Sequence, residues 1–107
     1  MTLSDERAAR NEALFREVNE EVARLEQRLE GRAPQFVCEC ATESCAERVA
    51  VPLATYERIR SHPRRFVLKP GHEQENLERV VETGSGYVVV EKTAAAGIVA
   101  ERTDPRG

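Results

Sequence analysis

The chain has 107 residues, 40% of them hydrophobic, 5% aromatic and none Trp, so the apolar area available for a core is modest and a metal or a partner chain would add usefully to stability. Sixteen basic against nineteen acidic side chains give a formal charge of -3, which argues against binding nucleic acid by general phosphate neutralisation. No apolar run approaches the ~18 residues of a membrane span, and Met1-Thr2-Leu3-Ser4-Asp5-Glu6-Arg7 lacks the charged-then-apolar order of a signal peptide, so a cytoplasmic protein is expected.

Residues 4–30 contain no Gly or Pro, and within them Phe15, Val18, Val22, Leu25 and Leu29 recur at alternating steps of three and four. That spacing is the heptad seam of a helix, and its backward extension takes in Ala8 and Asn11. Ser4 is placed to cap the start and Gly31 to end the last turn. At ~1.5 Å per residue such a helix runs about 40 Å, more than so small a body covers. The expectation is therefore a helical segment over residues 1–33 that pairs with a second copy as a coiled coil or docks a protein partner. The alternative is that the stripe folds back onto the chain's own sheet. Arg32-Ala33-Pro34 breaks the helix, and composition changes there from charged to β-branched and cysteine-bearing.

A second unit is expected over residues 34–102. Residues 35–40 and 47–51 read as two strands joined by a cysteine-bearing turn, residues 53–61 as a short helix stopped by Pro63, and residues 65–68 as a third strand ending at Pro70-Gly71. Residues 78–83 and 87–92 form a hairpin around Gly84-Ser85-Gly86, and the Ala-rich residues 93–102 a weak helix. Residues 103–107 have no reason to be ordered. The expected fold is α+β: a long N-terminal helix followed by a small zinc-stabilised antiparallel β domain with a short helix.

Three cysteines cannot all pair within one chain, and a reducing compartment favours metal binding over a disulfide framework. Cys38 and Cys40, two apart on an extended segment, face the same side, and the short polar turn 41–44 returns Cys45 to the same point. Three thiolates fix most of a tetrahedron, and imidazole is the usual companion of thiolate at zinc. The fourth ligand is then His72, presented at a strand end by Pro70-Gly71, or His62 at a helix terminus beside Arg60, Arg64 and Arg65. A site of three thiolates and one imidazole has no open position for water, which makes it structural and argues against hydrolytic catalysis. Buried free thiols and a thiol redox switch are the alternatives.

Residues 57–69 hold Arg58, Arg60, Arg64, Arg65 and Lys69 against one acid, a local basic patch that could meet phosphates or an acidic protein. Ser44, Ser61 and Ser85 have no nucleophile-elbow setting, and Glu73 and Glu75 read as solvated loop carboxylates, so no enzyme is expected. The segments Phe36-Val37-Cys38-Glu39-Cys40, Cys45, Tyr56-Glu57, Arg65-Phe66-Val67, Pro70-Gly71-His72-Glu73, Glu78-Arg79-Val80-Val81 and Val89-Val90-Glu91-Lys92 resemble a group of small actinobacterial-type proteins with a Cys-x-Cys-x4-Cys…Pro-Gly-His pattern. The resemblance implies Cys38, Cys40, Cys45 and His72 as the zinc ligands and carries no activity or partner. The cysteine pattern also looks broadly like a zinc ribbon, though Cys-x-Cys replaces the usual first Cys-x-x-Cys, so a role in transcription follows by analogy only. The functional expectation is a zinc-binding interaction or regulatory module. The alternatives are a nucleic-acid or transcription-associated regulator using residues 58–69, or a zinc-thiolate redox sensor.

Overall fold

In a computed structural model of the chain, residues 3–26, 34–42 and 44–106 are described, with the side chains of the first helix described from Arg7 to Leu25. The fold is α+β, in the order α1 (Leu3–Glu26), β1 (Gln35–Val37), β2 (Arg48–Ala50), α2 (Leu53–Arg60), β3 (Arg65–Leu68), β4 (Glu78–Thr83), β5 (Val88–Lys92) and α3 (Ala94–Arg102). Ser4 lies within α1 rather than at its cap. Leu29 and Gly31, the end of the expected seam, lie outside the described residues. No helix among the described residues is long and apolar enough to cross a membrane.

β1 and β2 form an antiparallel pair with Phe36 opposite Val49, and β3, β5 and β4 form a second antiparallel sheet with β5 at its centre. Val88, Val89 and Val90 are all buried, as a central strand covered on both faces requires. Side chains alternate with period two. Val67 and Val89 join Phe36, Val49, Val51, Tyr56 and Ile59 in one apolar cluster, while Phe66, Leu68, Val88 and Val90 join Cys38, Cys40 and Ala100 in another. In the first cluster the Phe36 and Tyr56 rings stack with centroids 4.1 Å apart. The hairpin turn closes with Gly84 N–H donating to Tyr87 O at 2.9 Å. The Tyr87 ring lies over Gly84, where a Cβ would stand 2.0 Å from it, so any larger residue would displace that ring.

Helix α1 packs on this body with a face its apolar pattern does not select. Ala8, Ala9, Glu12, Ala13, Arg16, Asn19, Glu20 and Ala23, spaced to share one side of the helix, are buried. Of the seam, Phe15 and Val22 are half-buried at the flank, while Val18 and Leu25, with neighbouring Leu14, are exposed. The alanines let the helix approach closely, and each long polar side chain reaches a partner. The Arg16 guanidinium lies 4.3 Å over the Phe66 ring and donates to Pro63 O at 2.6 Å and Ala100 O at 2.7 Å. Lys92 sits between Glu12 and Glu78, all three buried. A buried polar group left unpartnered costs about 1–3 kcal/mol. The orientation of α1 therefore follows where its polar residues find partners, and it leaves Leu14, Val18 and Leu25 outside while Val22 still packs on the core.

The tail expected to lack order has specific partners as far as Arg106. Asp104 pairs with buried Arg60, and Arg106 reaches Glu20 at 2.9 Å and Glu57 at 2.6 Å. Burial works against the Asp104 charge, but the Arg106 N–H and the Arg60 guanidinium hold its carboxyl below the usual range.

Candidate metal centre

The strand that begins at β1 continues past Val37: Cys38 N–H donates to Glu47 O at 3.0 Å, and Glu39 N–H crosses to Val67 O at 2.8 Å. Cys38 and Cys40 face the second apolar cluster together, and Glu39 between them faces the first. Cys45 is returned by a turn in which its N–H donates to Thr42 O at 3.0 Å; Glu43 lies outside the described residues. A second turn supplies the histidine. His72 N–H donates to Lys69 O at 3.1 Å, with Pro70 and Gly71 at the two central positions. Gly71 has φ +91°, as the third position of a type II turn demands, and a Cβ there would meet no atom within 4 Å, so the requirement lies in the backbone alone. Glu73, expected as a solvated carboxylate, accepts the Gly71 N–H at 2.9 Å and supports the turn.

These two turns bring Cys38, Cys40, Cys45 and His72 together with one donor atom from each, all within 4.8 Å of one another. His72 Nδ1 stands 3.6 Å from Cys38 Sγ and 3.7 Å from Cys45 Sγ. Tetrahedral zinc with Zn–S of about 2.3 Å and Zn–N of about 2.0 Å sets S···N edges near 3.6 Å and S···S edges near 3.8 Å. The imidazole edges match, so the donor set fits one tetrahedral ion after small side-chain adjustments. Three thiolates with one imidazole are also the soft donor set that suits zinc. His62, the other histidine, is exposed and outside this cluster.

Burial pushes the thiols of Cys38 and Cys40 up from their ordinary value; Cys40 and Cys45 add to the rise at Cys38 against the Lys69 N–H, which donates to its Sγ at 3.1 Å, while at Cys40 the rise is opposed by the Thr42 backbone and Cys38 and reinforced by Cys45. Both carry protons at neutral pH when no cation is present, and a bound cation displaces them.

Glu39 is a positioning residue that the motif conceals. Its carboxylate is fully buried and accepts from Asn19 Nδ2 at 2.8 Å, Tyr56 OH at 2.8 Å and Val67 N–H at 2.9 Å. Asn19 also brackets the strand: its Nδ2 donates to Val37 O at 2.8 Å, and its Oδ1 accepts Val37 N–H at 2.7 Å. Burial raises the Glu39 carboxyl from its ordinary value, and these three donors work against the rise. The available sequence signal was its place between two cysteines on a strand, which turns it toward Phe36's cluster. The metal turn and α1 thus hold opposite faces of one strand.

The basic patch expected over residues 58–69 is not a cluster of free cations. Arg58 makes two hydrogen bonds of 2.8 Å to Glu82, Arg64 meets Glu101 at 2.9 Å, Arg65 meets Glu91 at 3.2 Å and Lys69 approaches Glu47 at 3.9 Å. Arg60 is buried, with Glu20 at 2.7 Å and Asp104 as partners. Hydrogen bonds from Arg58 hold the Glu82 carboxyl below the usual carboxylate range, and those from Arg79 and Arg65 do so for Glu91. Ser44, Ser61 and Ser85 are exposed, and neither histidine is hydrogen-bonded to a carboxylate among the described residues. No protein-family model, curated protein or solved structure matches the chain.

Proposed function

We propose that this protein is a zinc-stabilised interaction module. Cys38, Cys40, Cys45 and His72 hold a structural zinc ion, and α1 carries the docking surface. The observation that supports docking lies on α1: Glu12, Arg16, Asn19 and Glu20 are buried against the body, while Leu14, Val18 and Leu25 are presented outward at 54%, 41% and 57% exposure among exposed charged residues. Exposed apolar groups aligned on one helix face mark a contact surface more readily than scattered ones do.

The occupant we assign is a second copy of the chain. In an antiparallel pairing about a dyad near residues 19 and 20, Leu14 of one helix meets Leu25 of the other with Val18 of both helices between them, an isologous contact in which one stripe complements itself. Zinc serves this surface indirectly. It fixes the strand whose Glu39 and Val37 receive Asn19, and so fixes which side α1 turns outward. A closed four-donor site leaves no position for a substrate, so the activity assigned is binding rather than catalysis. Reduced thiolate ligands suit a cytoplasmic setting. A nucleic-acid role for Arg58, Arg60, Arg64 and Arg65 is less favoured because each already faces a carboxylate.

Light scattering and metal analysis of the same preparation test the proposal. The expected result is a dimer with about one zinc per chain, converted by L14E/L25E to a monomer that keeps its zinc. A wild-type monomer at high micromolar concentration rejects the self-pairing. Less than about half an equivalent of zinc in protein purified without added metal rejects the zinc site.

A further inference from the structure

The metal centre is open on one side only. Cys38 and Cys40 are 1% and 0% exposed, whereas Cys45 and His72 are partly exposed and line an open cleft of about 690 Å³ together with Thr42, Ser44, Glu47 and Glu73. The sulfurs also differ in their hydrogen bonds. Cys38 Sγ accepts the Lys69 N–H, while Cys45 Sγ, among the described residues, has His72 Nδ1 beside it and no main-chain donor. An N–H donor draws electron density from a thiolate and blunts its nucleophilicity. Among the described residues Cys40 Sγ likewise accepts no main-chain N–H, so electron density sets Cys45 and Cys40 apart from Cys38, and access then singles out Cys45.

We propose that Cys45 is the reactive thiolate of this centre and that a small hydroperoxide entering the cleft oxidises it and releases the metal. This rests on the zinc reading above. Glu47 and Glu73 give the cleft an acidic lining, which favours an uncharged peroxide over an anionic thiol or disulfide. With hydrogen peroxide, Cys45 Sγ attacks one oxygen; an S–O bond forms, the O–O bond breaks, and the departing hydroxide takes a proton from solvent to become water. The sulfur loses two electrons and the peroxide gains them. Cys40 Sγ, within 4.8 Å, then attacks the Cys45 sulfenic acid, forming the S–S bond and expelling hydroxide, which leaves as a second water. Cys40 rather than Cys38 resolves the intermediate because the Lys69 amide holds the Cys38 sulfur. With two of the four ligands joined to each other, Cys38 and His72 alone retain the metal too weakly to keep it.

The test uses the full chain with its zinc content measured first. A brief exposure to N-ethylmaleimide, followed by peptide mass spectrometry, should modify Cys45 about tenfold faster than Cys38 or Cys40. One equivalent of hydrogen peroxide should release zinc to a chromophoric indicator in step with a disulfide that contains Cys45. Cys45→His, which keeps two thiolates and two imidazoles around the ion, should hold its zinc against the same dose. A chain that carries no zinc as purified removes the zinc reading and this inference together. In zinc-loaded protein, modification of Cys38 or Cys40 first, or a disulfide that omits Cys45, overturns the assignment and leaves the zinc reading standing. The labelling order is read on the wild-type chain, so it decides the matter even if the variant fails to fold.

Discussion

The two faces of the strand at residues 36–40 solve the same problem by different means. On one face Cys38 and Cys40 gather Cys45 and His72 through turns that close over a few residues, and a single cation can satisfy all four donors. On the other, Glu39 and the polar residues of α1 are satisfied pairwise by partners far along the chain, Asn19 with Val37 and Glu39, Glu12 with Lys92, Glu20 with Arg60. A metal site concentrates its stabilisation at one point, so it fails as a unit. The polar interface spreads the same task over many bonds, so it should fail in graded steps.

Removing the metal should have the largest effect. Structural zinc binding supplies on the order of 10 kcal/mol in small domains, comparable to the whole stability of this one. A strong chelator, or Cys40→Ser, should therefore abolish the cooperative thermal transition seen by circular dichroism while α1 keeps part of its helical signal. A cooperative transition that survives complete zinc removal would mean that the polar face alone holds the strand.

Next in size is the buried triad. Lys92→Met removes the cation from a cluster in which Glu12 holds its proton at neutral pH and so leaves Glu78 unpaired, and breaking a buried ion pair in this way destabilises by about 3–5 kcal/mol. Replacing the whole set, with Glu12→Leu and Glu78→Leu added to Lys92→Met, should return most of that loss, because well-packed apolar side chains often match a buried charge cluster. Denaturant titration of the single and triple variants measures the difference. If the triple variant is no better than the single, the triad contributes more than mutual charge compensation.

Asn19→Ala comes third. It strips the Val37 N–H and C=O of their side-chain partner and takes one of two donors from Glu39 Oε2, which keeps Tyr56 OH, a loss of about 2–3 kcal/mol by denaturant titration, with zinc still bound at one per chain. A fall in zinc content would show that the two faces are coupled more tightly than a shared strand implies.

What the sequence revealed follows the same division. Cys38, Cys40 and Cys45 lie within eight residues, so spacing was enough to gather the three thiols, whereas turn chemistry left His72 and His62 both open and only the folded chain places His72 beside them. The strands at residues 65–68 and 78–83 were likewise legible from β-branched runs and their bounding turns. The orientation of α1 was not. Hydrophobic periodicity located a stripe through Phe15, Val18 and Val22 and pointed to pairing with a second copy or a partner, with folding back onto the sheet as the alternative; it could not say which residues the body would bury. Here Asn19, Arg16 and Glu12 have partners 18, 84 and 80 residues away, and nothing local announces them. The same distance hid the pairing of Arg60 with Glu20 and Asp104, so a run of cations looked like a surface patch.

The smallest expected effect is also the one that separates the two faces by sign. Burial, with Glu78 adding to it and Lys92 opposing it, pushes the Glu12 carboxyl up from 4.5 to about 8. The folded chain then binds this proton more tightly than the unfolded chain does. The Glu12 contribution is present in full below pH 4.5 and is lost as pH rises toward 8, at no more than about 1.4 kcal/mol per pH unit. The metal site has the opposite slope, since zinc must displace protons from Cys38 and Cys40 and binds better as pH rises. With zinc held in excess between about pH 6.5 and 8, Glu12→Gln should lose the falling component and show stability that rises more steeply with pH than the wild type. Parallel pH profiles for the two proteins would show that Glu12 is already ionised in the fold and that Lys92 compensates it fully.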